Sequence, residues 1–399
     1  MLQKFIEIEL RNEYLKTILK KHSISTTNLR RAELLERFYK LKTDNTITDD
    51  LFWEYVATVF KYGNNRIILT SFVNINPTSD ILMQESLERR LKNKSEPAGK
   101  YNKLIELTEK DRFLQDTLVY QDINVDSDQQ VQSIERCYCR TDTVYRTDDK
   151  GETTSMLLYF FTWVNLDVSN RIITIHTRNP GVSHLHESRA INSVHEKFIQ
   201  IFKDLFSLST QNIVHQKRTL YNIYKEMTDT AEKPFREKVD TYKKDFEDFY
   251  NTMNSKLDYR TDIDSIKLLD RMIRLYERGL ITQNEELYTQ YHDGKYGIIQ
   301  RIVFCDNTGA NVSAKVKEIE QNISNYDIYF DTRDTLDEKK MLDKLWVVWY
   351  YTPIGKQTKR DYLVKFEIQD DFYVSHFIGP YLMEEVADYV FSKFREFEN

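Results

Sequence analysis

Two runs, LLYFFTWV (157–164) and LWVVWYYT (345–352), constrain the fold of this chain more than any other feature. Nearly every position in them is apolar or aromatic, so neither face of either strand can be left in water. Each is therefore expected at the centre of a sheet, covered on both sides. Each is followed by a polar turn, a second strand candidate (IITIHT; DYLVKFEI) and an amphipathic helix ending in Phe (FKDLF; FSKF). The echo implies two related α+β units.

The rest of the chain arranges itself around these units. Residues 1–62 read as helical, with DDLFWEYVATVFK starting at Asp49 or Asp50 and stopping at Gly63. IILTSFV (67–73) is a strand candidate, and residues 80–115 read as helical with a break near Pro97–Gly99. QSIERCYCRTDTVYRT alternates as a strand does, and strands return from Tyr296 onward, YDIYFDT (326–332) among them. Residues 216–290 are highly charged; they read as two to four helices with a break near Pro234 and a stop at Gly279. The run KEMTDTAEKPFREKVDTYKKDFEDFY within them reads as a solvated helix or coiled-coil arm. The expected fold class is thus α+β: an N-terminal helical hairpin (1–62), an α+β unit (63–215), a charged helical connector (216–290) and a second α+β unit (291–399).

The hairpin carries the one local charge asymmetry. From Arg11 to Lys40 there are eight Lys/Arg against three Glu, a net of +5 inside a chain of net charge −6. Such a patch points to a polyanion partner, and the acidic remainder confines the contact to this region. Within it, YLKTILKKHSISTTNLRRAELLERF (14–38) reads as a helix, a Ser/Thr-rich loop and a second helix opening on two arginines. Leu15, Leu19 and Lys20 lie in the first helix, Ile24 in the loop, and Arg30, Arg31, Ala32, Glu33, Leu34, Leu35, Glu36, Arg37 and Phe38 in the second. Over these 25 residues the chain resembles the SAP motif, a helix–extended loop–helix unit that binds nucleic acid. The resemblance implies a nucleic-acid-binding set of Lys20, Lys21, Thr26, Thr27, Asn28, Arg30, Arg31 and Arg37. Asn28 or Thr27 is the expected cap of the second helix, leaving free N–H groups beside a solvent-facing Arg30 and Arg31 as a phosphate seat. The family often has a glycine where this chain has Asn28 or His22.

Hydrolytic chemistry has weaker signals. His176, His184, His186 and His195 form the densest histidine cluster, and His184-x-His186 with Glu187 starts a metal-ligand set that nothing nearby completes. Arg189 to His195 is similar to the Arg-x(4–6)-His motif of HEPN ribonucleases, but a spacing of six on one helix turns the two side chains apart. His186-x-Ser188 matches half of the His-x-Ser/Thr pair of two-histidine phosphoesterases. Asp361, Lys365 and Glu367 supply the residue types of a PD-(D/E)xK nuclease with the acid and lysine in reversed order. There is no Gly-rich phosphate loop, nucleophile elbow or dinucleotide fingerprint.

Three cysteines make no disulfide framework; Cys137 and Cys139 are expected on opposite faces of a strand, and a reducing cytoplasm is the expected compartment. MLQKFIEIELRNEYL has charges scattered through it and lacks a signal-peptide core. No apolar run reaches the roughly 18 residues of a membrane span. The Lys/Asn/Ile/Tyr-rich, Ala-poor wording fits an AT-rich bacterial or phage source, and with it an antiviral-defence or mobile-element role. The expectation is therefore a non-catalytic nucleic-acid-binding or assembly protein. It would contact DNA or RNA through the hairpin and protein partners through the connector, without cofactor, metal or membrane. A nuclease or phosphoesterase acting around His176–His195 is one alternative, and a protein-binding scaffold is another.

Overall fold

A computed structural model describes residues 3–104, 106–108, 110–147, 153–178, 190–261, 267–284, 296–305, 311–315, 333, 335–352, 360–379 and 381–398. The fold is α+β, with antiparallel sheets throughout the described residues. The chain groups into two compact units, Met1–Val214 with Gln369–Asp388, and His215–Ile368 with Tyr389–Asn399.

In the first unit, four N-terminal helices come first: α1 (Lys4–Glu9), α2 (Asn12–Lys21), α3 (Arg31–Thr43) and α4 (Asp49–Lys61). The Thr48 side chain caps α4 by accepting from the Leu51 N–H at 3.2 Å. At the other end Gly63 takes a φ of +127°, and the buried Arg66 donates to the Tyr62 and Val59 carbonyls at 2.8 and 3.1 Å. A cation is thereby placed on the negative end of the helix. The sheet that follows contains β2 (Arg66–Asn74), β3 (Tyr101–Asn102), β4 (Thr117–Val125), β5 (Val131–Thr147), β6 (Thr153–Asp167) and β7 (Ile172–Arg178). A later strand, Tyr373–Ile378, pairs with β2, giving the order Tyr373–Ile378, β2, β7, β6, β5, β4, β3. A two-residue ladder beside it pairs β1 (Gly63–Asn64) with Tyr381–Leu382, and β8 (Ser209–Thr210) pairs with the end of β2.

The aromatic run 157–164 lies in β6, paired with β5 along its length and with β7 at Trp163 and Val164. Its second half, Phe161 to Val164, is buried on both faces, as an apolar central strand requires, whereas Leu157 to Phe160 are half-buried. Trp163 and Phe161 pack with Cys137, Cys139 and the helices α1–α4, whereas Val164 and Leu166 pack with Phe198, Phe202 and Phe206 of α6 (Ile191–Phe206). Cys137 and Cys139 therefore share one face and are both free; residues two apart on a strand point the same way, which corrects the expectation of opposite faces. The helix expected over 80–115 is confined to a 3₁₀ turn and α5 (Gln84–Asn93). It stops where Ser95 turns left-handed, and Pro97 and Gly99 then present their carbonyls to the Gln121 side chain, each at 2.8 Å.

The second unit opens with α7 (Gln216–Asp240), α8 (Lys243–Lys256) and α9 (Leu268–Gln283). Its sheet has the order β10 (Asn311–Lys315), β9 (Gly297–Cys305), β11 (Lys344–Tyr351), β12 (Arg360–Ile368). The second aromatic run lies in β11, again between two partners, and Trp349 is fully buried against Phe366 and Tyr389. Gly297 is required there, since a Cβ would sit 2.2 Å from the Val348 carbonyl oxygen. YDIYFDT lies outside the described residues.

Two expected helix breaks in this segment do not occur. α7 runs through Pro234, with Met227, Phe235 and Val239 buried on both sides of it, and α9 runs past the exposed Gly279. Tertiary burial outweighs the local penalties of about 3 and 1 kcal/mol for Pro and Gly. Nor is the charge run solvated throughout. The Glu232 and Glu277 side chains are buried with Arg333, whose guanidinium lies 2.8 Å from Glu232 and 3.6 Å from Glu277.

Candidate functional site

The hairpin forms because α2 and α3 each bury one stripe. Leu15, Ile18 and Leu19 of α2 and Leu34, Phe38 and Leu41 of α3 share a core with Phe52 and Val56 of α4. Residues 22–30 connect the two helices. The Ile24 N–H bonds back to the Leu19 carbonyl at 2.9 Å, closing α2, and Ile24 packs on the core. Asn28 takes φ +56°, so it adopts the left-handed conformation for which glycine is the usual residue and which Asn tolerates.

The start of α3 differs from expectation. Its N-cap is Arg30 rather than Asn28 or Thr27, and no side chain caps it from upstream. Instead the Arg30 N–H donates to the Glu33 carboxylate at 2.6 Å. An internal anion thus sits at the positive helix end that was expected to be open to phosphate. Arg31 also departs from its expected solvent-facing role. Its guanidinium donates to the Leu10 carbonyl at 3.0 Å, to Asn12 Oδ1 at 3.1 Å and to the Glu7 carbonyl. Those carbonyls end α1, where a cation is favoured.

The other named residues fall into two groups. Thr26 is buried, Arg37 donates to the Ser25 carbonyl at 2.9 Å, and Lys21 lies 3.8 Å from the Glu385 carboxylate. Lys20, Thr27, Asn28 and Arg30 are exposed. Among the described residues no carboxylate pairs with the side chain of Lys16, Lys20 or Arg30. Two of these, Lys20 and Arg30, bracket the 22–30 loop from its two ends.

The two described histidines of the cluster, His176 and His195, do not converge. Ile175 belongs to the α6-side core, so His176, its neighbour in β7, faces α4; its Nδ1 lies 3.3 Å from the Lys61 carbonyl. His195 is on α6, 2.7 Å from the Ser71 hydroxyl and stacked on Phe372 at 3.8 Å. The sheet lies between the two. Burial depresses both imidazoles, that of His195 to about 4. His184, His186, Glu187, Ser188 and Arg189 lie outside the described residues. Lys365 is engaged by Glu367, which also takes Lys344 at 2.8 Å, and Asp361 stands opposite Tyr350 in the ladder. Among the described residues no three His, Cys, Asp or Glu side chains gather as a metal set.

One feature left no trace in sequence. Arg11, Asn12, Glu13, Arg31, Asn64 and Tyr381 border a concavity of about 560 Å³ at the N-terminus of α2. Its residues come from distant parts of the chain, so no local pattern marks it. No family model matches the chain, and no curated protein or solved structure matches it.

Proposed function

We propose that this chain is a non-catalytic nucleic-acid-binding protein that contacts the phosphate backbone of DNA or RNA through the α2–α3 hairpin. The observation that carries the reading is the pair Lys20 and Arg30, both exposed, at the two ends of the 22–30 loop. Exposed Thr27 and Asn28 between them add neutral donors suited to phosphate oxygens. Phosphate contacts of this kind position a duplex or strand without reading its bases. The residue usage of the chain supports an AT-rich bacterial or phage source, and hence a part in antiviral defence or a mobile element.

The test is binding to duplex DNA, single-stranded DNA and RNA across a salt series. With Lys16, Lys20 and Arg30 each neutralising a phosphate, log affinity for duplex should fall with log salt at a slope of about −3. The Lys20→Glu, Arg30→Glu double variant should weaken binding on all sequences alike and leave the melting temperature unchanged. Absence of salt-dependent binding to any of the three at micromolar protein would overturn the reading.

A second reading, docking of a protein partner on the connector, is favoured by Tyr242, Phe249, Leu257, Leu275 and Tyr276, large side chains that are each more than half exposed. Static light scattering of the parent and of a Phe249→Glu, Leu275→Glu variant tests it for self-association; a monomer in both cases removes a second copy as the partner.

A further inference from the structure

Building on the second reading above, we propose that α9 docks a second copy of this chain. Its stripe Leu268, Met272, Leu275, Gly279 and Thr282 pairs with the same stripe of the second copy, helix parallel to helix. Residues 242–276 hold five of the nine large apolar side chains that are exposed among the described residues, so the anomaly is local. Within it α9 is anchored from the side opposite the stripe. Glu277 and Ile281 are buried there, and the Glu277 carboxylate lies 3.5 Å from Arg236 of α7. Leu275 is 61% exposed, Gly279 and Thr282 are exposed, and Leu268 and Met272 are half-buried.

The spacing of the stripe, alternately four and three residues, repeats every seven. A seven-residue repeat is covered best by another helix carrying the same repeat. Gly279 adds a second reason. Glycine inside a helix is unfavourable, and among the described residues no atom lies within 4 Å of a Cβ built at Gly279. No described neighbour within the chain requires a glycine there, whereas close approach of a second helix does.

The flanks of the stripe choose the direction of pairing. Arg271 and Arg278 border it on one side, Tyr276 and Gln283 on the other. In a parallel pair each flanking arginine meets the residue five positions further along the second helix. Arg271 then meets the Tyr276 ring of the second copy, and Arg278 meets its Gln283 amide. An antiparallel pair would set Arg271 against Arg278, like charge against like. The parallel contact is isologous and closes at two copies. α8 lacks such a stripe: Lys256 stands seven residues after Phe249, and Phe246 already packs on Tyr276 at 5.1 Å. A helix of 16 residues gives only about 24 Å of contact, so the dimer belongs to the weak class and needs concentrated protein.

Sedimentation of the full chain from micromolar to several-hundred-micromolar protein is the test. The parent is expected to pass from monomer to dimer. Leu275→Gln and Gly279→Gln change exposed helix positions, so both should melt no lower than the parent. Each should weaken dimerisation about tenfold. Phe249→Gln on α8 should dimerise as the parent does. Thr282→Cys should cross-link to its own copy under mild oxidation, beyond any background from Cys305 in the parent, because parallel pairing brings the two positions together. A parent that stays monomeric overturns the seam and self-association of the connector with it. Dimerisation unchanged in both α9 variants, or lost in Phe249→Gln, overturns the seam and leaves self-association standing. A Thr282→Cys dimer that does not cross-link overturns the parallel pairing.

Discussion

The Arg31 guanidinium meets the Leu10 carbonyl at 3.0 Å, across twenty-one residues of sequence. That bond ties the start of α3 to the end of α1, and two further bonds to Asn12 and Glu7 complete the tie. One arginine of the Arg30–Arg31 pair is thus a brace, and the other alone faces solvent. Adjacent residues on a helix start about 100° apart, so one can face the core while its neighbour faces water.

The two arginines should therefore separate by measurement. Arg31→Ala removes three hydrogen bonds from a charged donor and leaves the end of α1 uncapped; it should cost about 2–3 kcal/mol. Arg30→Ala should cost within about 0.5 kcal/mol, as surface changes do. Urea unfolding of both variants decides the matter, and equal costs would remove the brace.

Some of this fold was legible in the sequence because period and apolarity are local properties. The runs in β6 and β11 announced central strands, and the helix after Thr48 announced its start and stop. β4 was missed because TLVYQDINV carries Gln121 and Asp122, and the burial of Gln121 depends on Arg136, whose Nε donates to it at 2.8 Å from another strand. Tyr373–Ile378 was missed because Ser375 and His376 interrupt its apolar pattern in a short strand. The candidate site was legible as a charge count and a hairpin. The direction each arginine takes was not, since the acceptors of Arg31 are backbone carbonyls of a different helix. Arg11 and Tyr381 lie 370 residues apart and share a concavity only after folding.

Acid should destabilise the fold through its buried histidines. Burial lowers the His195 imidazole from its ordinary 6.5 to about 4, with Asp371 opposing and Lys203 reinforcing the shift. His176 is lowered by burial and by Lys61 and Arg66. A depressed folded value means that the unfolded chain takes up the proton first as pH falls. The His195 contribution is thus full above pH 6.5 and is lost as pH falls toward 4. His195→Gln keeps a polar partner for Ser71 and removes the titration. Between pH 6.5 and 4 its stability should fall less steeply than the parent's, by at most one proton, or about 1.4 kcal/mol per pH unit. Parallel curves for the two proteins would show that His195 takes up its proton equally in the folded and unfolded chains, and that burial does not depress it.

The two buried tryptophans make a matched pair of tests. Trp163 and Trp349 are 2% and 0% exposed, and among the described residues neither indole N–H has a hydrogen-bond partner. Truncation to Ala should cost about 3–5 kcal/mol at each site by lost burial and cavity formation. Trp→Phe keeps most of the apolar contact and removes the unpaired N–H, so it should cost markedly less. If Trp163→Ala or Trp349→Ala melts within a degree or two of the parent, that strand is not central to its sheet.

The charge network of the second unit gives the sharpest contrast. Glu232 lies on α7 with its side chain fully buried, 2.8 Å from Arg333 and 3.4 Å from Arg236. Glu277 of α9 faces the same two arginines at 3.6 and 3.5 Å. Asp229 of α7 shares Arg236 at 3.0 Å with both side chains about a third exposed, and the contacts of Glu277 with Arg236 and Arg333 join α7 to α9 through alternating charges. Removing one member of such a set leaves its partners charged in a poorly solvated place, and the usual cost is about 3–5 kcal/mol. Asp229 and Glu277 remain near Arg333 in a Glu232→Ala variant, so the lower end of that range is expected. Glu237, five residues along the same helix, pairs with Lys233 at 3.8 Å with both side chains about two-thirds exposed. Glu237→Ala should change stability by less than about 0.5 kcal/mol. Urea unfolding followed by helix circular dichroism compares the two directly. If Glu232→Ala unfolds at the same urea concentration as Glu237→Ala, the carboxylate is solvated and the charged segment is the exposed arm that its sequence suggests.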